Sequence, residues 1–301
     1  MYERHFGFGA KPFALTPDPA FLYSSRQHAL ALTMLEYGLE SQAAFSLLTG
    51  EIGSGKTTLI RRLLRQLGTT VSVGLISNAH GQFKSIHGWA LSALGIKATE
   101  DSGIARYEAL VNAFISEYGK GRRTLLIFDE AQNLSIQVLE ELRLLSNVNS
   151  EKDLVLQILL VGQPELRTKL MRPKLKQLAQ RISVDFHLKP LDLADSQAYV
   201  SHRLDVAGGS PTLISPAAIE LIHDRAQGVP RLINQLCDSA LLYAFADGLT
   251  AVDKALKEQV IKDRGAGVAL TASTAPPEVA RRTRSVNGVI SRRANGRASA
   301  P

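Results

Sequence analysis

Short continuous runs of apolar residues alternate with helical patterns through the first two thirds of this chain. A run of apolar residues between polar positions predicts a strand that is buried on both faces. Strands are predicted at 45–49, 71–76, 125–128, 154–163 and 182–186, and the runs at 125–128 and 154–163 are apolar enough to be buried on both faces. Between them, apolar spacings of three and four predict helices, at 25–41, 59–64, 82–94, 104–118, 135–147 and 175–179. This alternation predicts an α/β fold in which helices flank a five-stranded parallel sheet.

The strand signals stop after Pro190, and a purely helical pattern follows. Four further helices are predicted, at 193–206, 216–227, 230–246 and 252–262. Pro216 and Pro230 begin two of them, at a position where a residue without an N–H costs little. We therefore expect residues 25–190 to form the α/β core and residues 191–264 a small all-α domain.

The first 24 residues fit neither pattern. Three prolines among several aromatic residues predict an irregular segment over 1–24 that is neither helix nor strand. Its aromatic side chains have two open interpretations: they cover a bound base, or they cap the hydrophobic core.

The first predicted strand runs directly into a glycine-rich loop, residues 50–57, that reads G-x-x-x-x-G-K-T. Between a strand and a helix, this pattern is typical of loops that bind nucleoside triphosphates. Its glycines let backbone N–H groups approach phosphate, Lys56 supplies positive charge, and the Thr57 hydroxyl can reach Mg²⁺. We expect ATP and Mg²⁺ as cofactors. The residues predicted to bind the nucleotide are Gly50, Glu51, Ile52, Gly53, Ser54, Gly55, Lys56, Thr57 and Thr58.

Polar residues follow two of the later strands. The strand 125–128 ends in Asp129 and Glu130, a pattern that places two acids beside the nucleotide when a phosphate-binding loop is present. We expect Asp129 to hold Mg²⁺ together with Thr57, and Glu130 to orient and polarise the attacking water. The next strand ends at Gln163, for which two roles stay open: positioning the water, or capping a helix or turn.

Positive charge is concentrated at the C-terminus. The net charge of the chain is +7, but residues 265–301 contain six arginines and one glutamate, which leaves the rest nearly neutral. This stretch is rich in Ala, Ser, Gly and Pro and has no hydrophobic periodicity, which predicts a disordered basic tail. Such a tail is either a solvated extension or an electrostatic arm for DNA, RNA or anionic lipid.

Cysteine content and hydropathy bear on the compartment. The single cysteine, Cys237, lies at helical spacing with apolar neighbours and is expected to be a core residue. The sequence shows no N-terminal leader pattern, and no apolar run approaches the length that spans a membrane. We expect a cytoplasmic protein without a membrane span, with peripheral attachment to the inner membrane as a further option.

The order of the motifs resembles that of AAA+ ATPases. The loop 50–57 comes first, then the two acids, Gln163, an arginine before the fifth strand, and Gly-Val-Pro-Arg at 228–231. More narrowly, the chain resembles the general-secretion-pathway A-type (ExeA-like) ATPases at residues 12–19, 22–23, 25, 28, 37–39, 49–51 and 162–166. A subgroup found in exopolysaccharide and exosortase (PEP-CTERM) loci is similar at residues 74–78, 181–185 and 230–236. The resemblance covers about residues 1–262.

The resemblance implies roles for three further polar residues. Gln163 corresponds to the sensor-1 residue, Arg181 to an arginine finger that acts on a neighbouring subunit, and Arg231 to sensor 2. It also implies a homo-oligomer with shared sites, and a lid formed by the helical domain. Without the resemblance, Arg181 and Arg231 would each be interpreted as part of a surface salt bridge, although the Gly-Val-Pro sequence before Arg231 places it at the start of a lid helix, from which it could reach the γ-phosphate. Related secretion ATPases carry a transmembrane segment and a peptidoglycan-binding part, neither of which this sequence shows, so binding to the cell wall is not carried over.

Three functions remain open at the level of sequence. The leading hypothesis is an ATPase that couples hydrolysis to assembly or conformational work in a cell-envelope secretion or exopolysaccharide-export system. The second is a DNA-associated regulator of the transposition-helper type, which could use the basic tail. The third is a nucleotide-gated scaffold with negligible turnover. Glu130 argues against the third, because a pure switch needs no catalytic carboxylate.

Overall fold

The computed structural model describes residues 1–16, 18–77, 86–97, 102–149, 154–254 and 258. Within these ranges the strands are β1 (Phe45–Gly50), β2 (Val71–Ile76), β3 (Arg123–Phe128), β4 (Leu156–Gly162) and β5 (Ile182–Leu188). The helices before β5 are α1 (Tyr2–His5), α2 (Arg26–Glu40), α3 (Lys56–Gln66), α4 (Ile86–Ala93), α5 (Gly103–Gly119), α6 (Ile136–Leu145), α7 (Pro164–Leu170) and α8 (Lys176–Gln180). Those after it are α9 (Leu193–Val206), α10 (Pro216–Ala226) and α11 (Pro230–Ala246). The predicted tail 265–301, most of the predicted helix 252–262 and the start of the predicted helix 82–94 lie outside the described residues.

The five strands form one parallel sheet in the order β2-β3-β4-β1-β5. Thr49 near the end of β1 pairs with Gly162 of β4 on one side and with His187 of β5 on the other. The residues that follow these strands therefore lie at the same level along one edge of the sheet. The predicted α/β fold is confirmed.

Alternate residues of the central strands face two separate hydrophobic layers. Leu125 and Ile127 of β3 point to the layer of α2 and α3, whereas Leu126 and Phe128 point to the layer of α4 to α8. This arrangement follows from the period of two along a strand, and it explains why β1, β3 and β4 read as continuous apolar runs. Both faces of the sheet are covered by helices, so the ends of the strands are where polar side chains can gather.

The N-terminal segment packs on the helical domain. We call residues 1–23 the strap and helices α9 to α11 the lid. Aromatic residues of the strap share one hydrophobic core with the lid: Tyr2, Phe8, Phe13 and Phe21. The Gly9 N–H donates to the Ala207 carbonyl at 2.8 Å, and Arg203 Nε donates to the Pro12 carbonyl at 2.6 Å. Of the two interpretations of the strap aromatics, capping of a core holds for these four, and that core belongs to the lid. Phe21 also lines the pocket described below.

Several local expectations need correction. The strap is not wholly irregular: it begins with α1 and has a 3-10 turn at Pro19–Phe21, because its prolines follow α1 and restrict only the later part. The predicted helix 135–147 ends as an α-helix at Leu145 and continues as a 3-10 turn. Val252, expected to begin a helix, instead forms a parallel bridge with Ile214.

Candidate functional site

The glycine-rich loop connects the end of β1 to the first turn of α3, as predicted. Gly53 and Gly55 have φ angles of 80° and 101°, in the left-handed region that favours glycine. At Gly50 the reason is space, since a Cβ atom there would lie 2.8 Å from the Leu188 carbonyl oxygen. The loop therefore forms a cradle of backbone N–H groups at the N-terminus of a helix, the arrangement that binds phosphate.

Lys56 lies at the start of α3 and is buried. Its Nζ donates to the Gly50 carbonyl at 2.7 Å and to the Glu51 carbonyl at 2.9 Å, so the ammonium group sits inside the loop. Burial lowers the pKa of Lys56, and the negative charges of Glu130 and Asp129 oppose that shift. The loop thus holds a positive charge where the sequence predicted a partner for phosphate.

Thr57 and Asp129 meet across the gap between α3 and β3. Thr57 Oγ1 donates to Asp129 Oδ2 at 3.2 Å, and the backbone N–H of Glu130 donates to Asp129 Oδ1 at 3.0 Å. Burial raises the pKa of the Asp129 carboxyl, and the charge of Glu130 adds to the shift. The raised pKa means that burial disfavours the ionised form of this carboxyl, and a bound cation would compensate the buried negative charge. A hydroxyl and a carboxylate are also the hard oxygen donors that Mg²⁺ prefers, so these residues fit that ion.

Glu130 adopts an unusual backbone conformation at the end of β3. Its φ and ψ angles are 54° and 37°, in the left-handed region that few non-glycine residues occupy. Its Oε2 atom accepts from two side-chain amides, Gln132 Nε2 at 2.5 Å and Gln163 Nε2 at 3.2 Å. The Gln163 side chain does not cap α7, which was one of the two roles left open for it. It instead donates to the carboxylate expected to orient the water.

These residues face a pocket of about 240 Å³ that the strap and lid close from the other side. The core contributes Gly53, Gly55, Lys56, Thr57, His28 and Glu130. The strap and lid contribute Ala14, Leu15, Phe21, Tyr23, Tyr199, Arg203, Arg231 and Asn234. The core side of the pocket thus carries the phosphate-binding groups, whereas the strap and lid add apolar and aromatic side chains together with two arginines and an asparagine.

Arg231 is brought to the loop by the first turn of α11. Its backbone N–H donates to the Gly53 carbonyl at 3.2 Å, and its exposed side chain lines the pocket. Gly228 makes this approach possible, because a Cβ atom at that position would lie 2.0 Å from the Leu191 carbonyl oxygen. The lid helix therefore presents both its N-terminus and an arginine to the phosphate-binding end.

Arg181 does not lie in this pocket. Ile182 pairs with Phe45 at the start of β1, so Arg181 is about 16 Å from the loop along the strand direction. Its Nη1 atom donates to the Arg143 carbonyl at 3.1 Å and to Ser146 Oγ at 2.6 Å, at the C-terminal end of α6. Both of these partners are neutral, and among the described residues no carboxylate forms an ion pair with Arg181.

Sequence reasoning missed roles for two residues that contact the site. His28 Nε2 lies 3.0 Å from the Ser54 carbonyl oxygen, and His28 Nδ1 lies 2.8 Å from Ser25 Oγ. Gln132 bridges Glu130 and the backbone of Gln163. The available signal was weak: His28 follows a helix cap by three residues, and Gln132 follows the acids by two.

Comparison with known proteins agrees with this architecture. Residues 39–170 match the family described as AAA domain. Over 249 residues the chain is 41% identical to General secretion pathway protein A of Aeromonas hydrophila; the match covers 82% of this chain and 46% of that protein. The chain therefore spans about half the length of this curated relative.

Solved structures extend the agreement to the fold. The Aeropyrum pernix ORC2 protein, solved with ADPNP and ADP, gives a TM-score of 0.65 at 20% identity. The match covers 87% of this chain and 73% of the ORC2 chain. Cdc6p from Pyrobaculum aerophilum gives 0.61 at 18% identity, with coverages of 84% and 70%. At these identities the likeness establishes the fold, that of AAA-type P-loop proteins with a helical C-terminal region. Among the described residues no helix is both long and apolar enough to cross a membrane.

Proposed function

We propose that the chain is an AAA+ ATPase that binds and hydrolyses ATP with Mg²⁺, because residues 39–170 match the AAA domain family and the chain is 41% identical to General secretion pathway protein A over 249 residues. The observation that carries this proposal is the meeting of Thr57 and Asp129 at 3.2 Å beside the phosphate cradle. Glu130 lines the same pocket one residue further on. Cation ligands, phosphate donors and a carboxylate that can act on water are thus together at one edge of the sheet.

Each group has a task in hydrolysis. The loop N–H groups and Lys56 bind the β- and γ-phosphates and stabilise the charge that moves onto them. Thr57 and Asp129 would hold Mg²⁺, which when bound neutralises phosphate charge. Glu130 accepts a hydrogen bond from the attacking water and orients it towards the γ-phosphate. Gln163 contacts Glu130 and lies at the level of the γ-phosphate end of the loop.

We assign the nucleoside to the apolar end of the pocket, between the strap and the lid. Phe21 and Tyr23 from the strap and Tyr199 from the lid offer aromatic surface there. Arg231 reaches the phosphates from the lid, so that strap and lid respond to the nucleotide that is bound. Arg181 lies too far from its own pocket to act in it and is assigned to the pocket of a neighbouring subunit, in a homo-oligomer.

The work that hydrolysis drives is assigned to cell-envelope secretion or exopolysaccharide export. The support is the 41% identity to General secretion pathway protein A over most of this chain. Solved structures of similar fold include Drosophila ORC bound to DNA, at 18% identity. A DNA-associated role of this chain is the second candidate and could use the basic tail, which lies outside the described residues. Secretion or export is the favoured assignment because the relative named for secretion is 41% identical to this chain, whereas the DNA-bound structure is 18% identical.

Replacement of Lys56 tests nucleotide binding. Lys56→Ala removes the charge from the cradle and leaves the loop carbonyls without their donor, so the affinity for Mg·ATP should fall by at least about tenfold. Lys174→Ala, at an exposed lysine before α8, is the control and should bind as the wild type does. Calorimetric titration with a non-hydrolysable ATP analogue measures both. Equal affinity in the two variants would contradict the assignment of the loop.

A further inference from the structure

We propose that Gln132 is a positioning residue for Glu130, and that it fixes which carboxylate oxygen faces the attacking water. The inference rests on the proposed ATPase function. Gln132 lies in the 3-10 turn Ala131–Asn133, directly after the left-handed residue Glu130. Its side chain spans the gap between the ends of β3 and β4.

Two contacts fix the orientation of the Gln132 amide. The backbone N–H of Gln163 donates to Gln132 Oε1 at 3.1 Å, and Gln132 Nε2 donates to Glu130 Oε2 at 2.5 Å. A backbone N–H can only donate and an ionised carboxylate can only accept, so the reversed amide would lose both bonds. Gln132 therefore needs one acceptor and one donor at the end of a side chain of this length. Glutamate lacks the donor, and methionine lacks both groups.

The turn that carries Gln132 is held from a second direction. Lys169 of α7 donates from Nζ to the backbone carbonyls of Gln132 and Leu134. Gly162 leaves room for the amide, because a Cβ atom there would lie 2.8 Å from Gln132 Oε1. The position of the turn is thus fixed relative to the end of β4 and to α7. Local packing holds the amide in place and does not depend on a bound ligand.

The consequence for Glu130 is an asymmetric carboxylate. Oε2 receives both amide donors, from Gln132 and from Gln163. No described residue donates a hydrogen bond to Oε1, and Glu130 lines the nucleotide pocket. The two amides are neutral, so they hold the carboxylate in place without cancelling its negative charge. Oε1 can therefore still accept a hydrogen bond from the attacking water. The left-handed backbone of Glu130 and the amide pair together set its direction.

The test compares Gln132→Met with Gln137→Met in the full chain. Gln137 is a matched control because its Nε2 donates to the Glu141 carboxylate at 3.3 Å on the exposed face of α6, away from the pocket. For each variant, kcat for Mg·ATP, the affinity for a non-hydrolysable analogue and the melting temperature are measured. Gln132→Met should lower kcat about ten- to hundredfold, the effect of losing a hydrogen bond to a charged group. Its nucleotide affinity should stay within about twofold of the wild type, and Gln137→Met should match the wild type in both.

The outcomes separate the inference from the function on which it rests. A wild-type kcat in Gln132→Met would overturn the positioning role and leave the ATPase assignment intact. An equal loss of kcat and affinity would also overturn it, because that pattern indicates a general collapse of the pocket. If Gln132→Met does not fold, Gln132→Glu keeps the shape of the side chain, replaces the donor by an oxygen and places a second carboxylate beside Glu130, so a loss of kcat at least as large is expected. Absence of turnover in the wild type would overturn both the proposed function and the inference.

Discussion

At the scale of the residue, His28 connects the first core helix to the phosphate-binding loop. The Ser54 carbonyl can only accept, so His28 Nε2 carries the proton in this contact and Nδ1 faces Ser25 Oγ. Burial lowers the pKa of His28, and the hydrogen bond to the Ser54 carbonyl partly opposes that shift. The neutral ring is therefore the form that the folded protein favours.

This burial predicts a pH dependence of stability that His28 controls. Below the ordinary histidine pKa of 6.5 the unfolded chain takes up a proton before the folded one, so the free energy of unfolding falls as the pH falls towards the folded pKa. One such group contributes a slope of at most about 1.4 kcal/mol per pH unit. His28→Gln keeps a donor for Ser54 but does not titrate, and its slope should be smaller than that of the wild type. Urea unfolding from pH 7.5 to 5 measures both.

The comparison isolates His28 from the other histidines. Burial also lowers the pKa of His87 and of His187, and both residues remain in the variant. Their contribution therefore cancels in the difference between the two proteins. Identical pH profiles for wild type and His28→Gln would show that the proton state of His28 does not differ between the folded and unfolded chains.

At the scale of the element, the site depends on close contact between the loop and the first turn of α11. A Cβ atom on Gly53 would lie 2.4 Å from Arg231 Cβ, so the lid helix can approach only because residue 53 has no side chain. Both helices that reach the pocket, α3 and α11, point their N-termini at it. Any displacement of α11 removes one of these two sources of positive potential.

Gly53→Ala should therefore push the lid from the loop and weaken nucleotide binding by about tenfold. Gly121→Ala is a matched control, since Gly121 has a similar φ of 73° and no atom within 4 Å of an added Cβ. Both variants incur the strain of a positive φ, on the order of 1 kcal/mol in stability, but only Gly53→Ala adds the clash. Analogue affinity and urea unfolding are measured for each. Equal affinities would show that the lid contact does not contribute to binding.

The elements show what sequence could predict and where it stopped. The strands and most helices were predicted because their apolar patterns are read locally, and α9 begins and ends where the pattern placed it. The phosphate loop and the acids were predicted because their spacing is fixed within one segment. Helix α7 was not predicted, although Pro164 stands at its first position, because seven residues are too few for a clear period. The bridge by Gln132 joins two strand ends and depends on tertiary contacts that no local pattern contains.

At the scale of the molecule, the first segment of the sequence packs with the last described helices, so two segments that are far apart in the chain form one unit. The strap comes first in the chain but shares the core of the lid, and Arg203 joins the two by hydrogen bonds to the carbonyls of Pro12 and Ala14. The Arg203 guanidinium also lies 5.0 Å from the Phe21 ring centre. The nucleotide pocket thus lies between the strap–lid unit and the sheet, and a bound nucleotide would contact both.

The position of Arg181 leads to a prediction about assembly. If Arg181 completes the pocket of a neighbouring subunit, the ATPase rate per molecule should rise with protein concentration. Arg181→Ala should bind nucleotide with wild-type affinity but stay slow at every concentration. Its contacts at the end of α6 make a stability control necessary, and Ser146→Ala removes one of these two hydrogen bonds without removing the arginine. A rate in Arg181→Ala that equals the wild-type rate would exclude the finger assignment.

The central claim is that Glu130 turns a nucleotide-binding pocket into a hydrolytic site. The most direct test is steady-state release of phosphate from Mg·ATP by the wild type and by Glu130→Gln, with analogue affinity measured in parallel. The substitution leaves the cradle intact and removes the carboxylate that acts on water, so kcat should fall by at least about a hundredfold at unchanged affinity. Turnover in Glu130→Gln equal to that of the wild type would contradict the account. Tight binding without turnover in the wild type would also contradict it and would favour the nucleotide-gated scaffold.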